Sequence, residues 1–255
     1  MPALFFSIKD DFMENFFKSI SESFVKTFIT EDRWQQILAG LGTTLEITFF
    51  ALIIGLVLGF LIAIIRSTYE MNLKGKKSKG VGDVILKILN VICNIYITVI
   101  RGTPMVVQLM IMYFIVFLSS RDGIVAAILS FGINSGAYVA EIVRSGIMSI
   151  DKGQFEASRS LGFNYSRTMF YIILPQALKN VLPALGNEFI VLLKETSIAG
   201  YVAIQDLTYI GNLIRSRTYE AFFPLITVAL IYLVLVLILS FFLKKLERRL
   251  RNSEH

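Results

Sequence analysis

Residues 221–243 read AFFPLITVALIYLVLVLILSFFL, an unbroken run without one charged side chain. A helix needs roughly 20 largely apolar residues to cross the hydrocarbon of a bilayer, so this run predicts a transmembrane span. A second uncharged run, Ile47 to Ile65, predicts another over about 45–66. Composition points the same way: of 255 residues, 55% are hydrophobic and only 17% charged, where soluble domains carry about 25% charged residues. The fold class that follows is an all-α integral membrane protein.

Working outward, 101–120 is also uncharged after Arg101, and 124–148 and 182–201 are apolar runs interrupted by Glu141 and Arg144 and by Glu188, Lys194 and Glu195. The expectation is five transmembrane helices, so the two ends of the chain face opposite sides. Arg66, Lys74, Lys76, Lys77, Lys79 and Lys87 follow the first span, and Lys244, Lys245, Arg248, Arg249 and Arg251 follow the last. Basic residues concentrate on the cytoplasmic side. The C-terminus and the connection carrying Lys152, Arg159 and Arg167 are therefore expected in the cytoplasm and the N-terminus outside, against a mild dissent from Arg215 and Arg217. The stretch 84–100, which holds Lys87 and Asn90, reads as an interfacial helix leading into a bend at Arg101-Gly102-Thr103-Pro104.

In 1–36, Phe12, Phe16, Ile20, Phe24 and Phe28 recur every fourth residue, with Lys18, Glu22 and Lys26 on another face. This periodicity predicts an amphipathic helix on the outer membrane surface; the alternative is an extension with little structure. Acidic residues interrupt the stretch, which excludes a signal peptide. A single domain is expected over 37–245, followed by a basic tail at 246–255.

Several classes of function are excluded. The net charge of +6 sits at the ends of apolar runs, which fits membrane orientation better than nucleic-acid binding. One cysteine, Cys93, permits no internal disulfide, and one histidine, His255 at the terminus, permits no metal constellation. No phosphate-cradling G-x-x-x-x-G-K-[ST] loop occurs, so ATP chemistry would belong to a partner.

Between the third and fourth spans lies Glu156-Ala157-Ser158-Arg159-Ser160-Leu161-Gly162, and then Ile172-Ile173-Leu174-Pro175. This resembles the EAA loop of ABC importer permeases, E-A-A-x-x-x-G-x(9)-I-x-L-P, with Ser158 in place of the second alanine. Small side chains at Ala157 and Ser158 would let a short helix pack into a groove on another protein. Gly162 permits a sharp turn after that helix, Pro175 marks the break before the next, and Glu156 and Arg159 share a face. Gly42-Thr43-Thr44-Leu45, Arg101-Gly102-Thr103-Pro104, Ala140-Glu141-Ile142-Val143-Arg144 and Leu193-Lys194-Glu195-Thr196-Ser197 are similar to the polar amino acid uptake branch of that family. The resemblance implies a type I importer. Its parts are two permease subunits, identical or paralogous, two cytoplasmic ATPase subunits that bind ATP and Mg and dock on the 150–175 loop, and an external solute-binding protein.

Ionisable residues inside spans are functional candidates. Asn134, Tyr138, Glu141 and Ser145 step by four, three and four, and Asn180, Asn187 and Lys194 by seven, so each set lines one helical face. Glu141 and Lys194 could offer a zwitterion an acceptor and a donor, or Glu141 could pair structurally with Lys194 or Arg144. Arg101 and Pro104 are expected to shape the second span. An ion-coupled secondary transporter or a small channel is the competing class, but neither gives the Glu156–Pro175 segment a role.

Overall fold

In the computed structural model, residues 18–75, 77, 80–118 and 123–251 are described; Phe12, Phe16, Lys76, Lys79 and His255 lie outside them. The described part is made of helices joined by short turns. Helix α1 covers residues 18–29 and widens into a π-helical turn at Val25–Ile29. Glu31 and Asp32 then adopt positive φ values of 56° and 51°, which breaks the helix before α2, Arg33–Asn72. Next come α3 (Val81–Gly102), α4 (Met105–Ile111) and α5 (Gly123–Met148). A hairpin of α6 (Lys152–Ser160) and α7 (Tyr165–Thr168) leads through a second π turn, Met169–Ile173, into α8 (Leu174–Glu195). Helices α9 (Leu207–Thr218) and α10 (Phe222–Arg251) complete it.

Four stretches are long and apolar enough to cross a bilayer: Lys18–Asn72, Val81–Gly102, Gly123–Met148 and Phe222–Arg249. The regions expected as an interfacial helix at 84–100 and a span at 101–120 are divided differently. Helix α3 runs to Gly102, and only a shorter apolar helix, Met105–Val116, follows. The reason is Pro104: it disfavours helical backbone at the residue before it, and Thr103 is extended at φ −120°, ψ 146°. Asn90, which argued against burial, is turned inward, while Lys87 stays exposed. The region expected to span at 182–201 carries three charges, ends its α-helix at Glu195 and continues as a 3-10 turn, Thr196–Val202.

The chain divides into two compact units. The larger is Glu46–Thr196 with Val236 onward, and α5 is its axis. Ala126, Ala127, Phe131, Ala137, Val139 and Ala140 of α5 are wholly buried. Small residues let the backbones approach, the usual device where lipid offers no hydrophobic drive between helices. A Cβ on Gly59 of α2 would lie 2.5 Å from Val139 Cβ and 3.0 Å from the Ala140 backbone nitrogen, and one on Gly55 3.0 Å from Ser135. Gly146 meets Val181 of α8 in the same way.

The smaller unit joins the described residues up to Leu45 with Ser197–Leu235. Its core is Ile37, Leu207, Ile210, Ile214 and Val228. The rings of Phe24 and Phe28 in α1 stand 6.3 and 6.5 Å from that of Phe223, while Ile20 is exposed. Residues 18–29 are helical, with Ile20 and Phe24 of the expected apolar face exposed. Asp206, fully buried, caps α9 by accepting from the Tyr209 and Thr208 amides at 2.9 and 3.1 Å. Burial pushes its carboxyl up to about 6, partly offset by those hydrogen bonds.

Candidate functional site

The α6–α7 hairpin is fixed by its caps. Asp151 accepts from the Gly153 amide at 2.6 Å at the start of α6. At the end the Phe163 amide donates to Ser158 O at 3.1 Å and Gly162 N to Arg159 O at 3.0 Å. That is the paired bonding of a Schellman cap, and it requires the φ of 86° that Gly162 adopts. A β-branched residue is strongly disfavoured there.

Ser158 does not face outward as expected. It is 2% exposed and donates from Oγ toward the Phe155 carbonyl at 3.0 Å and Thr168 Oγ1 at 2.9 Å. Its small size serves packing inside the hairpin, and of these two small residues Ala157 is the exposed one. Glu156 and Arg159 are exposed and form no ion pair among the described residues. Leu161, Phe163, Phe170 and Tyr171 of the same segment are exposed as well. The Tyr165 hydroxyl donates to Thr68 at 3.1 Å, and burial pushes the phenol up, so it stays neutral.

Pro175 is not a break in the helix. The chain passes through the π turn directly into α8, with Pro175 in its first turn. Proline has no N–H to give, which is tolerated in the first turn of a helix, and Gln176 Nε2 donates to the Ile172 carbonyl at 2.9 Å.

The second feature is a polar seam through the larger unit. Glu141 accepts from Arg66 of α2 and, at 3.0 Å, from Arg144 one turn along α5, while Arg144 reaches Glu70 of α2 at 3.1 Å. Both carboxylate oxygens of Glu141 are engaged by these two arginines. The expected Glu141–Arg144 contact is present, but Lys194 takes no part: it is exposed on α8, as is Asn187. Asn134 donates to Gln108 Oε1 at 3.0 Å. Gln108 Nε2 lies 2.7 Å from the Ile100 carbonyl, which the break at Pro104 leaves without a helical donor. The Tyr138 ring carries Arg101 over its face at 5.1 Å. Ser145 is exposed and, with Arg101, Glu141, Arg144, Asn180 and Ala184, lines a groove of about 490 Å³. Ser135 donates to Glu188 of α8 at 2.9 Å.

Arg66, Glu70, Gln108, Ser135 and Glu188 were not marked as site residues from sequence. The i,i+4 spacing of Arg66 and Glu70 was visible, but Arg66 reads as an orientation charge at the end of a span. Gln108 carries a signal of its own, a buried-capable amide one turn after Pro104.

The profile of the family described as binding-protein-dependent transport system inner membrane component matches residues 84–252. A putative glutamine transport system permease protein GlnP of Rickettsia typhi is 38% identical over 217 residues, covering 84% of this chain and 92% of that protein. The arginine transport system permease protein ArtQ of Bacillus subtilis is 40% identical over 222 residues, 86% of this chain and 94% of its own length. Among solved structures, an amino acid ABC transporter crystallised with histidines superposes with a TM-score of 0.74 at 40% identity, covering 87% of this chain and 98% of that one. An inward-facing MetNI methionine ABC transporter gives 0.73 at 22% identity over 87% and 99%, a likeness of fold.

Proposed function

The chain belongs to the family of binding-protein-dependent transport system inner membrane components, and we propose that it forms the translocation path for a polar amino acid in an ATP-driven importer. The observation that carries this reading is the capped α6–α7 hairpin. It is locked internally by Ser158 and Thr168 and presents Glu156, Ala157, Arg159 and exposed apolar side chains outward. A rigid peg of that kind suits the transfer of a rigid-body motion from a cytoplasmic ATPase. Two such ATPase copies would bind ATP and Mg, a second permease subunit would complete the path, and an external binding protein would deliver the solute. The glutamine and arginine named for its relatives support a polar amino acid as the substrate class. The basic clusters support a cytoplasmic C-terminus and an external N-terminus.

The test is reconstitution with the ATPase and binding protein in proteoliposomes. Uptake of radiolabelled L-glutamine or L-arginine should require ATP on the cytoplasmic side, and the purified chain alone should hydrolyse none. Uptake without ATP, driven by an ion gradient, would favour the secondary-transporter reading.

A further inference from the structure

The uncharged part of α10 ends at Leu243, and the helix continues unbroken to Arg251. At 30 residues it measures about 45 Å, against about 30 Å for the hydrocarbon of a bilayer and roughly 40–45 Å with the headgroup layers. Its last turns therefore belong to a headgroup layer. Two close approaches fix the end of the bundle at which they stand. Gly146, near the end of α5 that leads into the hairpin, packs against Val181 of α8, and Leu243 packs against Gly186 further along the same helix. Lys244, Lys245, Arg248 and Arg249 thus lie at the hairpin end.

All four are exposed, and none forms an ion pair among the described residues. They occupy about 140° of the helix circumference, and Leu243, which faces α8, stands opposite them. Glu247, the one acid among them, is on the side of Leu243 and partly buried. The exposed apolar side chains that precede the cations keep the same face. Leu237, Phe241, Lys244 and Arg248 form one row, with steps of four, three and four, and Ile238, Phe242, Lys245 and Arg249 form a second beside it. Each row passes from large exposed hydrophobic side chains to exposed cations at the level where acyl chain gives way to phosphate.

We propose that this two-row face of α10 is a binding site for anionic phospholipids. The acyl chains lie against Leu237, Ile238, Phe241 and Phe242, and the four cations hold the headgroup phosphate. Guanidinium and ammonium groups suit a phosphate, and basic residues just beyond a span draw anionic lipid. The apolar half of the face selects a lipid over a free phosphate ion. A second copy of this chain on the same face would set unpaired cations against cations, which is unfavourable. A protein outside the bilayer could not reach the apolar half.

The experiment titrates the detergent-solubilised full chain with dioleoylphosphatidylglycerol, with the neutral-headed dioleoylphosphatidylcholine as comparison, and reads the shift in melting temperature. Each basic residue near an anionic surface strengthens attachment about fivefold, so Arg248→Gln with Arg249→Gln should weaken phosphatidylglycerol binding about 25-fold. The unliganded melting temperature should stay at the wild-type value, because neither arginine holds an ion pair among the described residues. Arg248→Lys with Arg249→Lys should keep the binding. Lys74→Gln with Lys77→Gln, which removes the same charge from exposed positions elsewhere, should leave it nearly unchanged. Phosphatidylglycerol with a photoreactive headgroup should label 244–249 in the wild-type chain. A wild type that does not distinguish the two lipids overturns the proposal, as does unchanged affinity in the double glutamine variant or an equal loss in the Lys74 and Lys77 variant. Labelling confined to other segments overturns it too, and decides the matter if the glutamine variant fails to fold. None of these readouts involves an amino acid or ATP, so failure of the importer reading would leave the lipid site standing.

Discussion

Glu141→Gln is the most exacting perturbation of the bundle. Among the described residues Glu141 is the one carboxylate that pairs with Arg66, whereas Arg144 has Glu70 as well. The side chains of Arg66 and Glu141 are only 13% and 23% exposed, so the appropriate figure is that of a buried pair. Removing one partner of such a pair costs about 3–5 kcal/mol, because the other charge is left buried and alone. For a chain of this size that corresponds to a fall in melting temperature on the order of 10 °C. The assay is thermal unfolding of the detergent-solubilised permease. Glu70→Gln should cost less, because Arg144 keeps Glu141. The double variant Arg66→Gln with Glu141→Gln should recover most of the loss, since no unpaired buried charge remains. An unchanged melting temperature in Glu141→Gln, or a double variant no better than the single, would refute the assignment of a structural ion-pair cross.

Gly162→Val should leave the chain inserted at normal levels but abolish ATP-driven uptake, because the Schellman cap needs a φ of 86°; wild-type uptake would remove the hairpin from the coupling role. Gly59→Ala should destabilise by about 1–3 kcal/mol through overpacking against Val139 and Ala140, whereas Gly82→Ala, with nothing within 4 Å, should be neutral or stabilising in the same melting assay. Asp206 has a carboxyl raised from 3.8 to about 6, so the folded state holds its proton where the unfolded state has released it. Its contribution is complete below about pH 4 and is lost as pH rises through about 6, by roughly 3 kcal/mol; Asp206→Asn should flatten that dependence in melting curves recorded from pH 4 to 7. With Cys93 replaced, Ser21→Cys should react with an impermeant thiol reagent in intact cells and Lys245→Cys only after permeabilisation; the reverse pattern would invert the orientation.

The long spans were legible because lipid demands long uncharged runs, and 47–65 and 221–243 meet that demand by composition alone. The cap at Gly162 was legible because only glycine is at ease at positive φ. The partner of Glu141 was not, since Arg66 lies 75 residues away in sequence and a basic residue at the end of a span is read first as an orientation signal. Composition also misjudged α3, where Lys87 and Asn90 lower the hydropathy although one points out and the other in. Sequence names Ser158 as small but cannot say which way it faces, and it faces Thr168. For the same reason Glu188 passed as one charge among three in a span, its hydrogen bond from Ser135 being a property of neighbours that only the fold assembles.

The π turn at Met169–Ile173 has a consequence for how this chain can vary. Thr168, Ile173, Ala177, Val181 and Leu185 are all buried, so the inward-facing positions step by five across the turn and by four after it. The turn therefore acts as a phase corrector, carrying one residue more than an α-helix would need. Deleting a single residue from 169–173 would let the turn close to an ordinary helical step of four and leave the phase unchanged, whereas a deletion in the regular part of α8 would rotate everything before it by about 100° and shorten the helix by about 1.5 Å. In that second case the hairpin would keep its own caps and its Ser158–Thr168 bond yet present another face. A change of length is thus absorbed in the π turn and felt only in α8, where it would redirect the hairpin while sparing its fold.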